Sequence, residues 1–152
     1  MLLTDVLTLE RVRVPLQATD KPSVITEMVD LLHATGGLTD RDAALNAVFA
    51  REKDRTTGIG YGLAIPHGKT TGAKQLVMAA GKPANPLEYQ SLDNRPVTFI
   101  VMLVSPPDKP AEHMQALAKI ARLMNIEEFR SKIRLASTPE ALYAAIREHD
   151  TP

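Results

Sequence analysis

The run Val97-Thr98-Phe99-Ile100-Val101-Met102-Leu103-Val104 constrains this chain more than any other stretch. It is rich in valine and isoleucine, lies between Pro96 and Ser105-Pro106, and has Thr98 as its one polar member. Such residues favour extended backbone, and a strand without polar alternation has to be covered on both faces. A second short apolar run, Leu76 to Ala80, precedes it. The interval from Leu76 to Val104 leaves no room for a crossover helix between the two strands, so a mixed sheet is expected in place of a purely parallel one. The longer run has eight residues, far short of the ~20 that a membrane-spanning helix needs, and no direct membrane insertion is expected.

Helical periodicity covers most of the remaining chain. Asp20 is placed to cap a helix whose apolar positions Val24, Ile25, Met28, Leu31 and Leu32 recur at helical spacing until Gly36-Gly37. Thr39 as cap and Asp42 in the first turn predict a second helix, with Leu45, Val48 and Phe49 on its buried side and an end near Lys53. After Pro106 to Pro110, residues Met114, Leu117, Ala121 and Met124 repeat at 3, 4 and 3, which predicts a helix face packed on the sheet. Asn125 is placed to cap a short helix carrying Phe129 and Ile133. Ser137-Thr138-Pro139-Glu140 then offers a cap, a first-position proline and a first-turn acid ahead of Leu142 and Ile146. With no internal repeat or low-complexity linker, the expectation is a single α/β domain over residues 1–152, a mixed β-sheet flanked by helices.

Composition acts mainly by exclusion. The chain has 18 basic and 18 acidic side chains, whereas a nucleic-acid binder carries a basic surplus to neutralise phosphates. Three tyrosines, three phenylalanines and no tryptophan make a poor base-stacking platform. The absence of cysteine removes disulfides, thiolate zinc sites, iron–sulfur ligation and thiol nucleophiles. The amino terminus meets Asp5 without a basic segment, so it does not read as a signal peptide, and a cytoplasmic location is expected.

Chemistry concentrates between Thr56 and Gly72, where periodicity disappears and five glycines occur in 17 residues. Gly68-Lys69-Thr70 ends like a phosphate-binding P-loop, but that pattern requires glycine at position 63, where this chain has Leu63. Gly58, Gly60 and Gly62 likewise miss the dinucleotide fingerprint, because residue 63 is not glycine. What remains is His67 between Pro66 and Gly68. Proline stiffens the backbone entering the histidine, and the adjacent glycine is expected to clear a side chain from beside the imidazole. An imidazole with an ordinary pKa near ~6.5 is largely neutral, hence nucleophilic, at neutral pH. The local sequence leaves two readings open, a nucleophilic histidine or one that closes a turn.

Gly58-Ile59-Gly60 followed by Leu63-Ala64-Ile65-Pro66-His67-Gly68 resembles the active-site motif of the fructose/mannitol-type IIA domains of the bacterial phosphoenolpyruvate-dependent phosphotransferase system, a group that includes nitrogen-regulatory IIA proteins. The resemblance extends over nearly the whole chain. It takes in Arg51-Glu52, the segment Leu92-Asp93-Asn94-Arg95-Pro96-Val97, and Glu112-His113-Met114 behind Ser105-Pro106.

The resemblance implies that His67 accepts a phosphoryl group from the phosphocarrier HPr or its nitrogen-branch counterpart. Sugar-transporting members pass it to a IIB domain, whereas a regulatory member acts on a target protein. His113, 46 residues after His67, matches the family's second active-site histidine, which would hydrogen-bond the phosphoryl oxygens. Arg51, 16 residues before His67, matches an arginine that approaches the phosphohistidine; on its own an arginine here reads as a solvated charge at a helix end, the usual case for an isolated arginine. Thr57 is either a further hydroxyl donor to the phosphoryl group or a cap on the glycine loop. Tyr61, Leu63 and the start of the Met114 helix are candidates for an apolar rim that meets partner proteins. His33 and His149 match no motif and sit at predicted helix ends, where a cation suits the exposed carbonyls. No cofactor is implied and no metal site is expected, since no two histidines stand at i, i+4 and no H-E-x-x-H occurs.

Overall fold

The structure is a computed structural model that describes residues 1–152. Its six strands are β1 (Val12–Leu16), β2 (Gly58–Gly60), β3 (Leu63–Ala64), β4 (His67–Lys69), β5 (Val77–Pro83) and β6 (Phe99–Ser105). Five helices accompany them: α1 (Lys21–Ala34), α2 (Arg41–Asp54), α3 (Pro110–Leu123), α4 (Glu127–Leu135) and α5 (Pro139–His149). The strands form one sheet in the order β1-β5-β6-β3-β2, with β4 also paired to β6. The sheet is mixed: β5 and β6 run antiparallel, as the short connection requires, while β3, β4 and β6 are parallel.

Strand β6 is covered on both sides, and its residues alternate between two cores. Phe99, Val101 and Leu103 pack with residues of α3, α4 and α5, while Ile100, Met102 and Val104 pack with residues of α1 and α2. The short strands β3 and β4 follow one another along the same edge of β6, with Leu63 opposite Phe99 and His67 opposite Leu103. The glycine-rich segment is thus laid along the central strand and inherits its rigidity.

Several local expectations change. Strand β1 carries no clear sequence signal, because Arg13 and Pro15 interrupt it; it pairs parallel to β5. The cap of α2 is Asp40, whose carboxylate accepts from the Ala43 N–H at 3.0 Å, while Thr39 instead bonds the Gly72 carbonyl through its amide and hydroxyl. Ile126, not Asn125, precedes α4. The expected caps Asp20 and Thr138 do accept from Ser23 and Ala141.

The helix α3 differs in phase. His113, Ala116, Ile120 and Leu123 face inward, so the buried face is centred to one side of the stripe Met114, Leu117, Ala121 and Met124: Met124 is buried and Leu117 packs against the core, but Met114 is exposed. The buried face is polar at both His113 and Lys119, so apolar periodicity alone could not find it. Lys119 bonds Asp150 at 2.9 Å and the carbonyls of Met1 and Thr151, tying both chain ends to α3.

Candidate active site

Alternation along β6 places the site. Ser105 continues the face of Phe99, Val101 and Leu103, on the side of α3. There its hydroxyl meets Nδ1 of His113 at 2.6 Å. His67 lies beside this pair, its ring centroid 5.3 Å from that of His113 and the two planes inclined by 62°. Nδ1 of His67 is 2.8 Å from the Ile65 carbonyl, an acceptor only, so Nδ1 carries the proton and Nε2 keeps the lone pair. Pro66, with Leu103 N–H bonded to its carbonyl at 3.1 Å, fixes the approach to that ring.

Gly68 has a different role from the expected one. Its missing side chain faces α2, where a Cβ would lie 3.0 Å from the Ala47 carbonyl carbon and the Val48 nitrogen. The glycine therefore admits the backbone of α2 against β4 and does not widen the space at the imidazole. Upstream, β2 and β3 form a hairpin with positive φ at Tyr61 (56°) and Gly62 (76°), a turn that matches the twist of paired strands.

Burial disfavours the protonated form of both rings. Burial pushes His67 below the ordinary imidazole value, with Arg51 and Lys69 adding to the effect against the opposing Ile65 carbonyl and Glu52. His113, almost completely inaccessible, is pushed from 6.5 down to about 4 by burial first, then by His67 and Lys69. A neutral His67 offers its Nε2 lone pair. If the Ser105 hydroxyl donates to Nδ1, a neutral His113 presents Nε2–H as a donor that brings no charge of its own.

The lowered values set the acid stability. Unfolded histidine takes up a proton near 6.5 while folded His113 resists it until about 4, so its contribution is complete above pH 6.5 and fades as pH falls to 4. Urea unfolding should lose on the order of 2–3 kcal/mol across that interval. His113→Gln should flatten this part of the profile.

Arg51 lies in the last turn of α2, where one of its N–H groups donates to the Arg55 carbonyl at 2.8 Å. The rest of the guanidinium makes no hydrogen bond within the protein, and its charge reaches His67. Its neighbour Glu52 turns inward. The Glu52 carboxylate accepts from the Thr57 N–H (2.8 Å), the Thr57 hydroxyl and the Tyr89 hydroxyl (3.1 Å), and pairs with Lys21 at 3.0 Å. Burial alone would raise its pKa, but Thr57 and Lys21 hold it below the usual value. The only proton of the Thr57 hydroxyl is thus committed to Glu52. The motif loop is anchored from beneath by the buried Glu52 carboxylate and its half-buried partner Lys21.

Lys21 and Tyr89 add to the residues singled out from sequence, while Ser105 and Glu52, named there only within Ser105-Pro106 and Arg51-Glu52, acquire definite partners. Ser105 is two places beyond Leu103, so alternation could have assigned its face. Lys21 and Tyr89 carry no such signal, because only the closed fold brings them to Glu52. Ile59, Tyr61, Leu92 and Met114 are exposed, Met114 next to His113 and Tyr61 at the β2–β3 turn, whereas Leu63, expected in the rim, is wholly buried in the core. His33 and His149 lie in the last turns of α1 and α5. No three histidine or carboxylate side chains converge in a way that would hold a metal ion.

The family model described as phosphoenolpyruvate-dependent sugar phosphotransferase system, EIIA 2, matches residues 5–149. The chain belongs to that family. It is 33% identical over 150 residues to a PTS system fructose-specific EIIABC component of Bacillus subtilis (strain 168), a match that covers 99% of this chain and 24% of the relative's length. The crystal structure of nitrogen regulatory protein IIA-Ntr from Neisseria meningitidis superposes with a TM-score of 0.82 at 28% identity, over 93% of this chain and 97% of that one. A chain from the complex of enzyme IIAMTL and phosphorylated enzyme IIBMTL of Escherichia coli has the same fold, with a TM-score of 0.80 at 13% identity over 94% and 98% of the two chains. No helix here is long and apolar enough to cross a membrane.

Proposed function

We propose that this EIIA protein is a cytoplasmic phosphoryl carrier that uses Nε2 of His67, accepting from HPr or its nitrogen-branch counterpart and delivering to a IIB domain of a fructose- or mannitol-type transporter. The observation that carries the reading is the Nδ1–H of His67 fixed on the Ile65 carbonyl, which leaves Nε2 as the free nucleophile beside His113. Its lone pair attacks phosphorus in line with the phosphohistidine N–P bond of the donor. That bond breaks with its electron pair returning to the donor nitrogen. The donor ring, protonated at its other nitrogen, leaves as neutral imidazole. His67 keeps its Nδ1 proton, and delivery to the acceptor reverses these steps.

Arg51 and His113 supply donors to the three phosphoryl oxygens in this scheme, Arg51 through the unpaired part of its guanidinium. Thr57 acts as a positioning residue, holding the first motif glycine over Glu52. The donor already carries an activated phosphoryl group, so the transfer needs neither nucleotide nor metal. Ile59, Tyr61, Leu92 and Met114 provide an apolar surface suited to brief encounters.

A second reading rests on the likeness to IIA-Ntr over almost the full length of both chains. In it the protein is a regulator whose phosphorylation changes its affinity for a target protein. A chase decides between them: the chain, labelled by phosphorylated HPr, is mixed with fructose- and mannitol-type IIB domains. The carrier reading expects discharge within seconds to one of them. Phosphate retained for many minutes against every IIB domain favours the regulator.

A further inference from the structure

A cleft of about 440 Å³ opens between the Tyr61 turn, the ends of β5 and β6, and α4. It borders β6 at Phe99, whereas His67 stands opposite Leu103. Four residues of strand separate these points by roughly 13 Å. The charged groups lining the cleft are Lys82, Arg130 and Arg134, and no carboxylate is among them. In a chain with equal numbers of acids and bases, that is a local excess without internal compensation.

Two of the three cations are held in place. Lys82 donates to the carbonyls of Ile133, Arg134 and Ala136 at 2.7, 3.0 and 2.8 Å, so its charge is fixed at the end of α4 with no anionic partner. The Arg130 guanidinium stacks 4.4 Å from the centre of the Tyr61 ring and donates to the Met124 carbonyl at 2.6 Å. Its remaining N–H groups have no partner in the protein. Arg134 donates once, to Ser131 Oγ at 3.0 Å, and is otherwise exposed. The exposed Thr98 hydroxyl forms no hydrogen bond within the protein, and Pro83 and Pro86 supply accessible apolar lining above the buried Phe99 and Ile133.

We propose that this cleft binds a small organic anion, its phosphate or carboxylate group held by Arg130 and Arg134 and its apolar body laid against Pro83 and Pro86. Two guanidinium forks match the planar oxygen pairs of such groups, and the volume lies within the range of small-molecule sites. Lys82, with its donors spent, contributes field and no contact. The Thr98 hydroxyl serves either as donor to the anion or as partner to a polar group on the body. Nothing in the chemistry of His67 uses these residues.

The test is a titration of the ¹⁵N-labelled protein with phenyl phosphate and with benzoate, using phenol as the neutral control. Saturable amide shifts are expected at Tyr61, Thr98 and Arg130 with at least one anion, and which anion saturates first separates a phosphate site from a carboxylate site. Phenol should be without effect. Arg134→Gln, on the surface and remote from the core, should weaken binding about tenfold, the loss of one charge-assisted contact. Raising the salt concentration should weaken wild-type binding in the same direction. The proposal is overturned if neither anion saturates, if shifts are confined to the surroundings of His67 and His113, if phenol binds as well as the anions, or if Arg134→Gln leaves affinity unchanged.

Discussion

His67→Ala is expected to leave a folded chain that takes no labelled phosphoryl group from phosphorylated HPr. Acceptance should fall below about one ten-thousandth of the wild-type rate, as when a sole nucleophile is removed. The fold should survive, because His67 is half-buried at a sheet edge and its ring makes one hydrogen bond, to Ile65. Leaving that carbonyl unpaired costs about 1–2 kcal/mol. The check is rapid-quench labelling beside a thermal melt. Wild-type labelling in a variant with a native melt would move the nucleophile elsewhere.

His113→Ala is expected to give the second largest loss, about 10²- to 10³-fold in the transfer rate, the usual effect of deleting one aligned donor to developing phosphoryl or oxyanion charge. Ser105 acts through His113 as a positioning residue. If its hydroxyl donates to Nδ1, His113 carries its proton on Nε2, and Ser105→Ala should shift the population toward the other tautomer. The ¹⁵N shifts of the His113 ring read that change directly, and a purely structural serine would not alter them. Transfer should slow by about tenfold in Ser105→Ala, the equivalent of one ordinary hydrogen bond. Phosphorylation of His67 brings negative charge beside His113, so the His113 pKa should rise from about 4 in the phosphorylated form. An unchanged value would place the phosphoryl group away from this ring.

Much of this site is legible in the sequence because its chemistry is local. Pro66-His67-Gly68 and its glycine approach form a contiguous segment, and the run from Val97 to Val104 announces a strand covered on both faces. The inferences that fail do so where tertiary packing decides. The inward face of α3 includes His113 and Lys119, two polar residues that an apolar stripe passes over, and the stripe consequently starts on the exposed Met114 although Leu117 and Met124 do pack on the core. Strand β1 is short and carries Arg13 and Pro15, so only its pairing with β5 makes it a strand. Gly68 is explained by the approach of α2, a contact between segments about 20 residues apart that no local pattern encodes. Thr57 illustrates the same limit: its place before a motif glycine suggests a hydroxyl facing the phosphoryl group, while the fold directs that hydroxyl to the buried carboxylate of Glu52.

The central claim is that Nε2 of His67 is the phosphoryl acceptor, because Nδ1 is occupied by the Ile65 carbonyl. The direct measurement is a heteronuclear NMR spectrum of protein labelled with ¹⁵N in histidine and phosphorylated by HPr, in which coupling to ³¹P identifies the bonded nitrogen. A single phosphorylated residue, His67, with coupling at Nε2 and the Nδ1–H retained is the predicted result. Coupling at Nδ1, or phosphate on His113 or any other residue, would contradict it.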